Sequence, residues 1–478
     1  MARKARSLAD GKIALQSAWP TPPPTPAFRP ACQPLRLVPA QRGDHPAIYE
    51  LLWTVFQGPT PADFQAQLDE PGYEPSDRLI VKHGKQVVAH LRLARQTIWL
   101  DGVTLPAVRF MELATAPLYR QRGLASALLA AGEQIARQQG AVVALTRTHV
   151  RELFARRGWV GCGQSGYATA PPRAVLAEMM AQERAAADPI ANYLRRHRPR
   201  RLVVRPLRRV ELPALRRLYD QQLAGRCGWP VRSDASWDWL LARSACDRVY
   251  VAASSTEPAL GARDTDSLFG YAFVQRTRIV ELVTSPDGTD AARALVRRIC
   301  LDLSEQGAWL VRCDAPPDSP IHAWFRQAGG GPVNHLAPDE AVGMARLLDP
   351  RDCLTRCSPL WQRRGAALAG NRPWELGLEL TAPTATSGVG FCGPRTSQRF
   401  LLTSLPEMPV EKVENLNCKD RIRLSESDLT PLVMGELGAE GLHTAGRLRV
   451  TSSEAMLLAK ALFPRGLWWR PPLDELLA

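Results

Sequence analysis

From Leu35 onward the apolar positions of the chain fall into short runs that alternate with helical stripes. Leu35 to Val38 reads as a strand and Ala47 to Phe56 as a helix. Arg78 to Lys82 and Gln86 to Leu93 flank His83-Gly84-Lys85, the pattern of a hairpin. A second hairpin centres on Asp101-Gly102, because Asp-Gly tolerates the positive φ angles of a type I′ turn. Val108 to Thr115 is strand-like, Arg120 to Ser126 is a polar turn, and Ala127 to Gln138 is an amphipathic helix stopped at Gly140. Ala141 to Thr146 is a strand, His149 to Arg156 a short helix, and Trp159 to Ala168 a last strand. The order β-α-β-β-β-α-β-α-β predicts an α/β layer.

The same frame occurs a second time. A shift of 167 positions places Pro39 on Pro206, Pro46 on Pro213, Ala127-Leu128 on Ala294-Leu295 and Gln139-Gly140 on Gln306-Gly307. After four more residues Glu152 to Gly158 falls on Ala323 to Gly329. One register held over this length predicts two copies of one fold. Asp349 to Asn371 reads as a connector; Trp374 to Leu380 and Gln398 to Ser404 read as strands, and Ser427 to Gly435 and Ser453 to Leu462 as helices. Residues 1–34 hold seven prolines between Trp19 and Pro34, which blocks helix and ladder alike. The expected division is a Pro-rich leader at 1–34, a first domain at 35–170, a linker at 171–200, a second domain at 201–348 and a third, α+β, at 349–478.

Length and composition fit that division: 478 residues predict two to four domains, and 45% hydrophobic with 23% charged residues is ordinary for a folded chain. The formal charge of +14 is concentrated. Ten arginines and one acid, Glu211, lie between Ala191 and Arg217 (Arg195, Arg196, Arg198, Arg200, Arg201, Arg205, Arg208, Arg209, Arg216, Arg217). Without interleaved aromatics to stack bases, this run favours a solvated junction over nucleic acid. The ten cysteines form no CxxC pair; Cys353 and Cys357 lack a second pair for zinc and read as buried thiols, so no metal is expected. No signal-peptide core or membrane-length apolar run occurs, and the expectation is a cytoplasmic protein with no membrane partner.

Chemistry concentrates in Pro117-Leu118-Tyr119-Arg120-Gln121-Arg122-Gly123-Leu124-Ala125-Ser126, where a strand feeds a turn that opens a helix. Free backbone N–H groups gather there at the positive end of a helix and suit a diphosphate, while Gly123 lets the main chain approach it. With Met111 to Pro117 before it and a glycine-ended helix after it, the stretch resembles the GCN5-related N-acetyltransferase (GNAT) superfamily. The resemblance implies acetyl-CoA as co-substrate and an amine as acceptor. It places Leu113, Ala114 and Thr115 along pantetheine, Arg120, Gln121, Arg122, Gly123, Leu124, Ala125 and Ser126 around the diphosphate, and His149 and Val150 along the rest of the cofactor. In the second copy Arg120 becomes Asp287, Gly123 becomes Asp290 and Ser126 becomes Arg293. Carboxylates facing a diphosphate repel it, so this copy is expected to keep the fold without the cofactor. Two such folds and an α+β tail resemble, more narrowly, acetyltransferases of the enhanced-intracellular-survival (Eis) type, whose last domain is similar to sterol carrier proteins and which imply a homo-oligomer, a hexamer.

The catalytic residues transfer less well. Where those enzymes place a tyrosine acid, this chain has Phe154 in Phe154-Ala155-Arg156-Arg157-Gly158. Three readings stay open: another donor (Tyr119, Tyr167 or water), departure of the thiolate unprotonated, or an impaired enzyme. By the resemblance the base is the terminal carboxylate, here Ala478; Asp474 and Glu475 are alternatives, and a tail packing on Leu473, Leu476 and Leu477 is the plain structural one. Glu112, on a strand of period two, shares a face with Phe110 and Ala114 and is a candidate base or a salt-bridge partner. His90 and His149 read as ordinary histidines, Trp237 and Trp239 as core. The expected function is acetyl-CoA-dependent N-acetyl transfer to a primary amine of a small molecule or peptide, the alternative a non-catalytic or impaired acyl-CoA-binding scaffold. An RNA-associated acetyltransferase draws only on the arginine run.

Overall fold

The structure, a computed structural model, describes residues 34–163, 166–186, 202–243, 245–254, 268–286, 288–331, 341–370, 372–381 and 397–475. The leader up to residue 33 and Arg195, Arg196, Arg198, Arg200 and Arg201 lie outside them. The first unit contains β1 (Leu35–Pro39), α1 (His45–Phe56), α2 (Pro61–Leu68), β2 (Arg78–His83), β3 (Gln86–Leu100), β4 (Val103–Thr115), α3 (Leu124–Gln138), β5 (Val143–Thr148), α4 (Arg151–Ala155), β6 (Val160–Gly161), β7 (Tyr167–Ala170) and α5 (Pro172–Ala186). Asp101 and Gly102 turn the long β3–β4 hairpin with φ of 42° and 98°, the geometry that Asp-Gly permits. The helix α2 starts on a capping box: Thr60 Oγ1 accepts from the Asp63 N–H at 3.1 Å, and the Asp63 carboxylate accepts from the Thr60 N–H.

The second unit repeats this order: β8 (Leu202–Pro206), α6 (Leu212–Leu223), β9 (Cys227–Pro230), α7 (Asp234–Ala242), β10 (Arg248–Ser254), β11 (Leu268–Gln275), β12 (Arg278–Thr284), α8 (Thr289–Glu305), β13 (Val311–Asp314), α9 (Ile321–Gln327) and β14 (Val342–Leu347). The two units exchange their last strands. In the first sheet, ordered β1-β2-β3-β4-β5-β14-β6, the lane beside β5 is filled by β14, paired from Val342↔Thr148 to Leu347↔Val143. In the second, β7-β13-β12-β11-β10-β8, β7 leaves the first unit and pairs with β13. The stretch Trp159 to Ala168, expected as one strand, is therefore two. Gly163 has a φ of 105°, and a Cβ on Gly166 would sit 2.0 Å from the Ala315 carbonyl oxygen, so the chain crosses between sheets where only glycine fits.

Two further expectations are corrected. Part of the 171–200 linker is the helix α5, whose Val175 and Met179, one turn apart, enter the core of the second sheet with Leu295 and Ile299. The connector Asp349 to Asn371 is two helices, α10 (Pro350–Arg356) and α11 (Ser358–Ala369). The Asp349 carboxylate caps α10 through the Asp352 N–H at 3.0 Å, and Cys353, Cys357, Leu360 and Trp361 are fully buried. The third sheet joins β15 (Glu375–Thr381), β16 (Gln398–Thr403), β17 (Val410–Lys412), β18 (Arg421–Ser425) and β19 (Leu448–Val450) in the order β17-β16-β15-β18-β19. The helices α12 (Glu426–Val433), α13 (Ala439–Thr444) and α14 (Ser453–Leu462) complete it. Its core is continuous with Ile98, Leu105, Val143 and Leu145 of the first sheet.

The chain then returns as a tail between the sheets. Trp468 fills a seat made by two glycines: a Cβ on Gly228 would come within 2.8 Å of its ring, one on Gly163 within 3.1 Å. Trp468 and Leu473 are almost fully buried, a contribution of about 1.5–3 kcal/mol each. Among the described residues no helix is long and apolar enough to cross a membrane. Of the arginine run, Arg205 pairs with Glu211 and Arg216 with Asp234 and Asp238.

Candidate active site

At the end of β4 the chain enters the turn that the sequence reading assigned to an anion. Gln121 and Gly123 adopt φ of 61° and 77°, which turns successive N–H groups inward, and α3 begins with no side-chain cap on its first turn. Arg120, Gln121, Arg122, Gly123 and Ser126 are exposed, Ala125 is half-buried, and Leu124 anchors the turn in the core. A Cβ on Gly123 would meet nothing within 4 Å, so the space above the turn is open. His149 and Val150 are exposed at the start of α4, where Thr148 Oγ1 accepts from the Val150 N–H at 3.0 Å.

Next to this turn β4 and β5 part. They pair in parallel from Ala107↔Val143 to Arg109↔Leu145, after which Thr146 Oγ1 donates to the Phe110 carbonyl at 2.9 Å. At the parting β4 is bulged. Arg92 faces Met111 and His90 faces Ala114, so Glu112 and Leu113 together oppose Leu91, with Glu112 at a φ of 54°. The bulge corrects the alternation expected for this strand. Phe110 packs on the α3 side and Ala114 on the α1 side, not on one face. Leu113 packs partly against the α3 side, and Thr115 pairs with Ala89.

Glu112 turns to the α1 side and lies in a buried charged cluster. Its carboxylate accepts from Arg78 Nη1 at 2.7 Å; Arg78 also donates to Gln67 Oε1 at 2.7 Å and Tyr73 Oη at 3.2 Å. Burial alone would raise the Glu112 pKa, but the guanidinium charges of Arg78 and Arg92 outweigh it and hold the carboxyl below its usual range. A carboxylate so held is a poor proton acceptor near neutrality. His90, fully buried, is pushed down to about 3, first by burial and then by Arg78. Its Nε2 faces Arg78 Nη1 at 3.1 Å and its Nδ1 faces the Glu112 carbonyl at 2.9 Å, so the neutral ring accepts from one and donates to the other, and steadies the bulge.

The tail closes this side. Arg232 binds Glu281 at 2.9 and 2.6 Å and Asp474 at 3.0 and 2.5 Å, Arg109 Nη1 donates to the Asp474 carbonyl at 3.2 Å, and Arg243 Nη2 to that of Leu473. Burial pushes the Asp474 carboxyl up, but Arg232, Arg109 and Arg243 pull it below the ordinary value. Asp474 is a buried counter-ion and not a base. Glu475 faces Arg147 at 3.4 Å and Arg470 at 3.8 Å and lines a cavity at the end of β5. Tyr167 lines the same cavity beneath the Arg312 guanidinium, 3.8 Å from its ring centre, whereas Tyr119 Oη is engaged by His83 Nδ1 at 2.7 Å. Ala478 lies outside the described residues. Phe154 is 2% exposed and packs edge-on against Trp159 at 5.2 Å, as core.

Sequence reasoning missed the residues that surround this site: Glu70 and Tyr73 after α2, and Arg78, Arg92, Arg109 and Arg147 on strands. Only the capping box of α2, Thr60-Pro61-Ala62-Asp63, was there to find in the local pattern. Trp237 is core as expected, but Trp239 reaches from α7 to donate to the Ala66 carbonyl at 2.8 Å.

The second copy differs at the matching turn. Gly288, before α8, has no positive φ, and a Cβ there would lie 2.6 Å from Thr284 and 2.7 Å from the Ser285 carbonyl oxygen, so the chain packs tightly on itself at that residue. Asp290 stands exposed in the first turn of α8; Asp287 lies outside the described residues. Arg293 donates to Gln182 of α5 at 2.8 Å, and Gln182 also bonds Gln327 of α9 at 2.8 Å, so α5 bridges the two helices.

Residues 36–160 match the family described as Acetyltransferase (GNAT) domain. The chain carries a GNAT acetyltransferase domain. A domain of this family implies acetyl-CoA as co-substrate, and the space above the Gly123 turn is open. Solved structures share the fold along most of the chain. A GCN5-related N-acetyltransferase from Kribbella flavida is 18% identical with a TM-score of 0.63, covering 92% of this chain and 98% of its own. One from Anabaena variabilis is 17% identical with a TM-score of 0.65, covering 91% and 99%. Eis1 from Mycobacterium abscessus is 16% identical with a TM-score of 0.59, covering 91% and 99%. No curated protein matches the sequence. The architecture is α/β, two tandem GNAT folds followed by an α+β unit.

Proposed function

We propose that this protein transfers the acetyl group of acetyl-CoA to a primary amine of a small molecule or peptide, in its first GNAT unit only. The observation that carries this reading is the uncapped, open α3 turn lying beside a bulged β4 where β4 and β5 separate. In it Leu113, Ala114 and Thr115 run along pantetheine, and a backbone N–H at the bulge donates to the oxyanion of the tetrahedral intermediate. The amine nitrogen forms a bond to the acetyl carbon and the C–S bond breaks. A thiol of pKa about 8.5 is a fair leaving group, so a weak donor or water suffices for its proton. Glu475 is the tail carboxylate on the cavity side and the place for the amine's proton. The exposed Asp290 in place of Gly123 and the α5 bridge support a second unit without cofactor.

The test is mass spectrometry of acetyl-CoA incubated with polyamine, aminoglycoside, amino-acid and lysine-peptide panels, with thiol release followed in parallel. An acetylated amine with stoichiometric CoA is expected. Tight CoA binding with no product on any amine would instead favour a non-catalytic acyl-CoA binder, the reading suggested by the burial of Phe154.

A further inference from the structure

We propose that the acceptor carries a carboxylate beside the amine that is acetylated, and that this carboxylate is held in the arginine-lined cavity at the end of β5. The proposal rests on the acetyltransferase reading above and names the class of its acceptor.

The cavity, about 70 Å³, lies between Leu145, Thr146 and Arg147 of β5, the neighbouring β14, the β12–β13 end and the tail. It begins where the β4–β5 pairing stops at Arg109↔Leu145, on the face to which Arg147 points. Its charged lining is four guanidiniums, Arg147, Arg278, Arg312 and Arg470, and two carboxylates, Asp314 and Glu475. Each carboxylate is shared. Asp314 accepts from Arg312 at 2.9 and 3.1 Å and also from Arg278; Glu475 lies between Arg147 and Arg470. Among the described lining residues guanidiniums thus outnumber carboxylates four to two.

An independent observation points the same way. Arg470 Nε is buried with no hydrogen-bond partner among the described residues. Burial lowers the Arg470 pKa, and Glu475 offsets that only in part. A buried donor without an acceptor costs about 1–3 kcal/mol, and a carboxylate, with two oxygens and several lone pairs, would satisfy it. The volume suits such a group, since a water takes roughly 30 Å³ of liquid. A polycationic acceptor would set its ammonium groups against the guanidiniums. Seated by its carboxylate, the acceptor presents a neutral amine to the thioester: the N–C bond forms, the C–S bond breaks, Glu475 takes the amine's proton, and the CoA thiolate takes one from water.

The experiment compares kcat/KM for acceptors that differ only at this group, β-alanine and γ-aminobutyrate against their carboxamides, with spermidine as the cationic case. The acids are expected to exceed the amides by roughly 10- to 100-fold. That preference should fall to within about threefold in Arg147→Gln and Arg470→Gln; Arg147 is 43% exposed, so its replacement leaves the fold intact. Amides used as well as acids, or a preference untouched by both variants, would overturn the proposal. A chain shortened by residues 476–478 separates the acceptor's carboxylate from the chain's own: a preference that arises only after shortening overturns it as well. If no amine is acetylated, the acetyltransferase reading fails first, and calorimetric titration of N-acetyl-β-alanine against its amide in the presence of CoA decides on the anion site itself.

Discussion

Replacing Gly123 with alanine separates folding from cofactor binding. Gly123 has a φ of 77° and its missing Cβ would meet nothing within 4 Å, so the methyl group clashes with no part of the folded protein. The fold loses only the conformational term for an alanine in the left-handed region, about 1–2 kcal/mol, or a few degrees in melting temperature. The cofactor loses more, because the methyl group occupies the open side of the turn where a diphosphate must approach the backbone. Displacing it from one charge-assisted hydrogen bond costs about 1.5–3 kcal/mol, roughly a 10- to 150-fold rise in Kd. Gly140 is the internal control: it ends the same helix with a φ of 79° and nothing within 4 Å. Gly140→Ala should lower the melting temperature by a similar amount and leave acetyl-CoA binding alone. The assay is isothermal titration of acetyl-CoA with the three proteins, beside thermal unfolding of each. If Gly123→Ala melts lower yet binds acetyl-CoA within twofold of the parent, the turn is not the diphosphate seat.

Asp474→Asn leaves the buried Arg232, Arg109 and Arg243 short of one countercharge and should destabilise the tail by about 3 kcal/mol, read by unfolding and by earlier proteolysis after Trp469. Because the folded Asp474 pKa is depressed, its contribution is complete above about pH 4 and fades as pH falls through the lower folded value; the difference between parent and variant should shrink in acid. Glu112→Gln should lower stability by a few kcal/mol, since Arg78 is fully buried, and leave the limbs of the pH–rate profile between pH 5 and 8 in place; loss of a limb would make Glu112 the base. Phe154→Tyr puts a hydroxyl into the core beside Trp159; no gain in kcat and a loss of about 1–3 kcal/mol are expected, and a tenfold higher kcat would show that the position still serves as the acid site.

The strand–turn–helix at Gly123 was legible because its parts are contiguous: strand, basic residues, Gly123 and helix follow one another, and their geometry is set by local backbone preference. The buried charged clusters beside it were legible only in part. Glu112 and Asp474 stood out as carboxylates, but their partners Arg78, Arg92, Arg109 and Arg232 come from elements far apart in the chain, and no spacing links them. The period-two reading of β4 failed at Glu112, because a bulge inserts a residue without any apolar signature. The α5 helix was hidden in a stretch read as a linker, although Val175 and Met179 carry half of an amphipathic stripe.

The sequence by itself determined the units that close on short-range forces: the hairpin at Asp101-Gly102, the glycine-ended helix α3, and a repeat whose strands and helices recur at a constant offset. Which strand lies beside which was decided only by the tertiary structure. The pairing of β14 with β5 and of β7 with β13 depends on the match of whole faces and on two glycines that let the chain cross, energies shared among residues distant in sequence. The arginine-lined cavity exists for the same reason. Its charges come from both exchanged sheets and the tail, and they meet only once the strands have been traded.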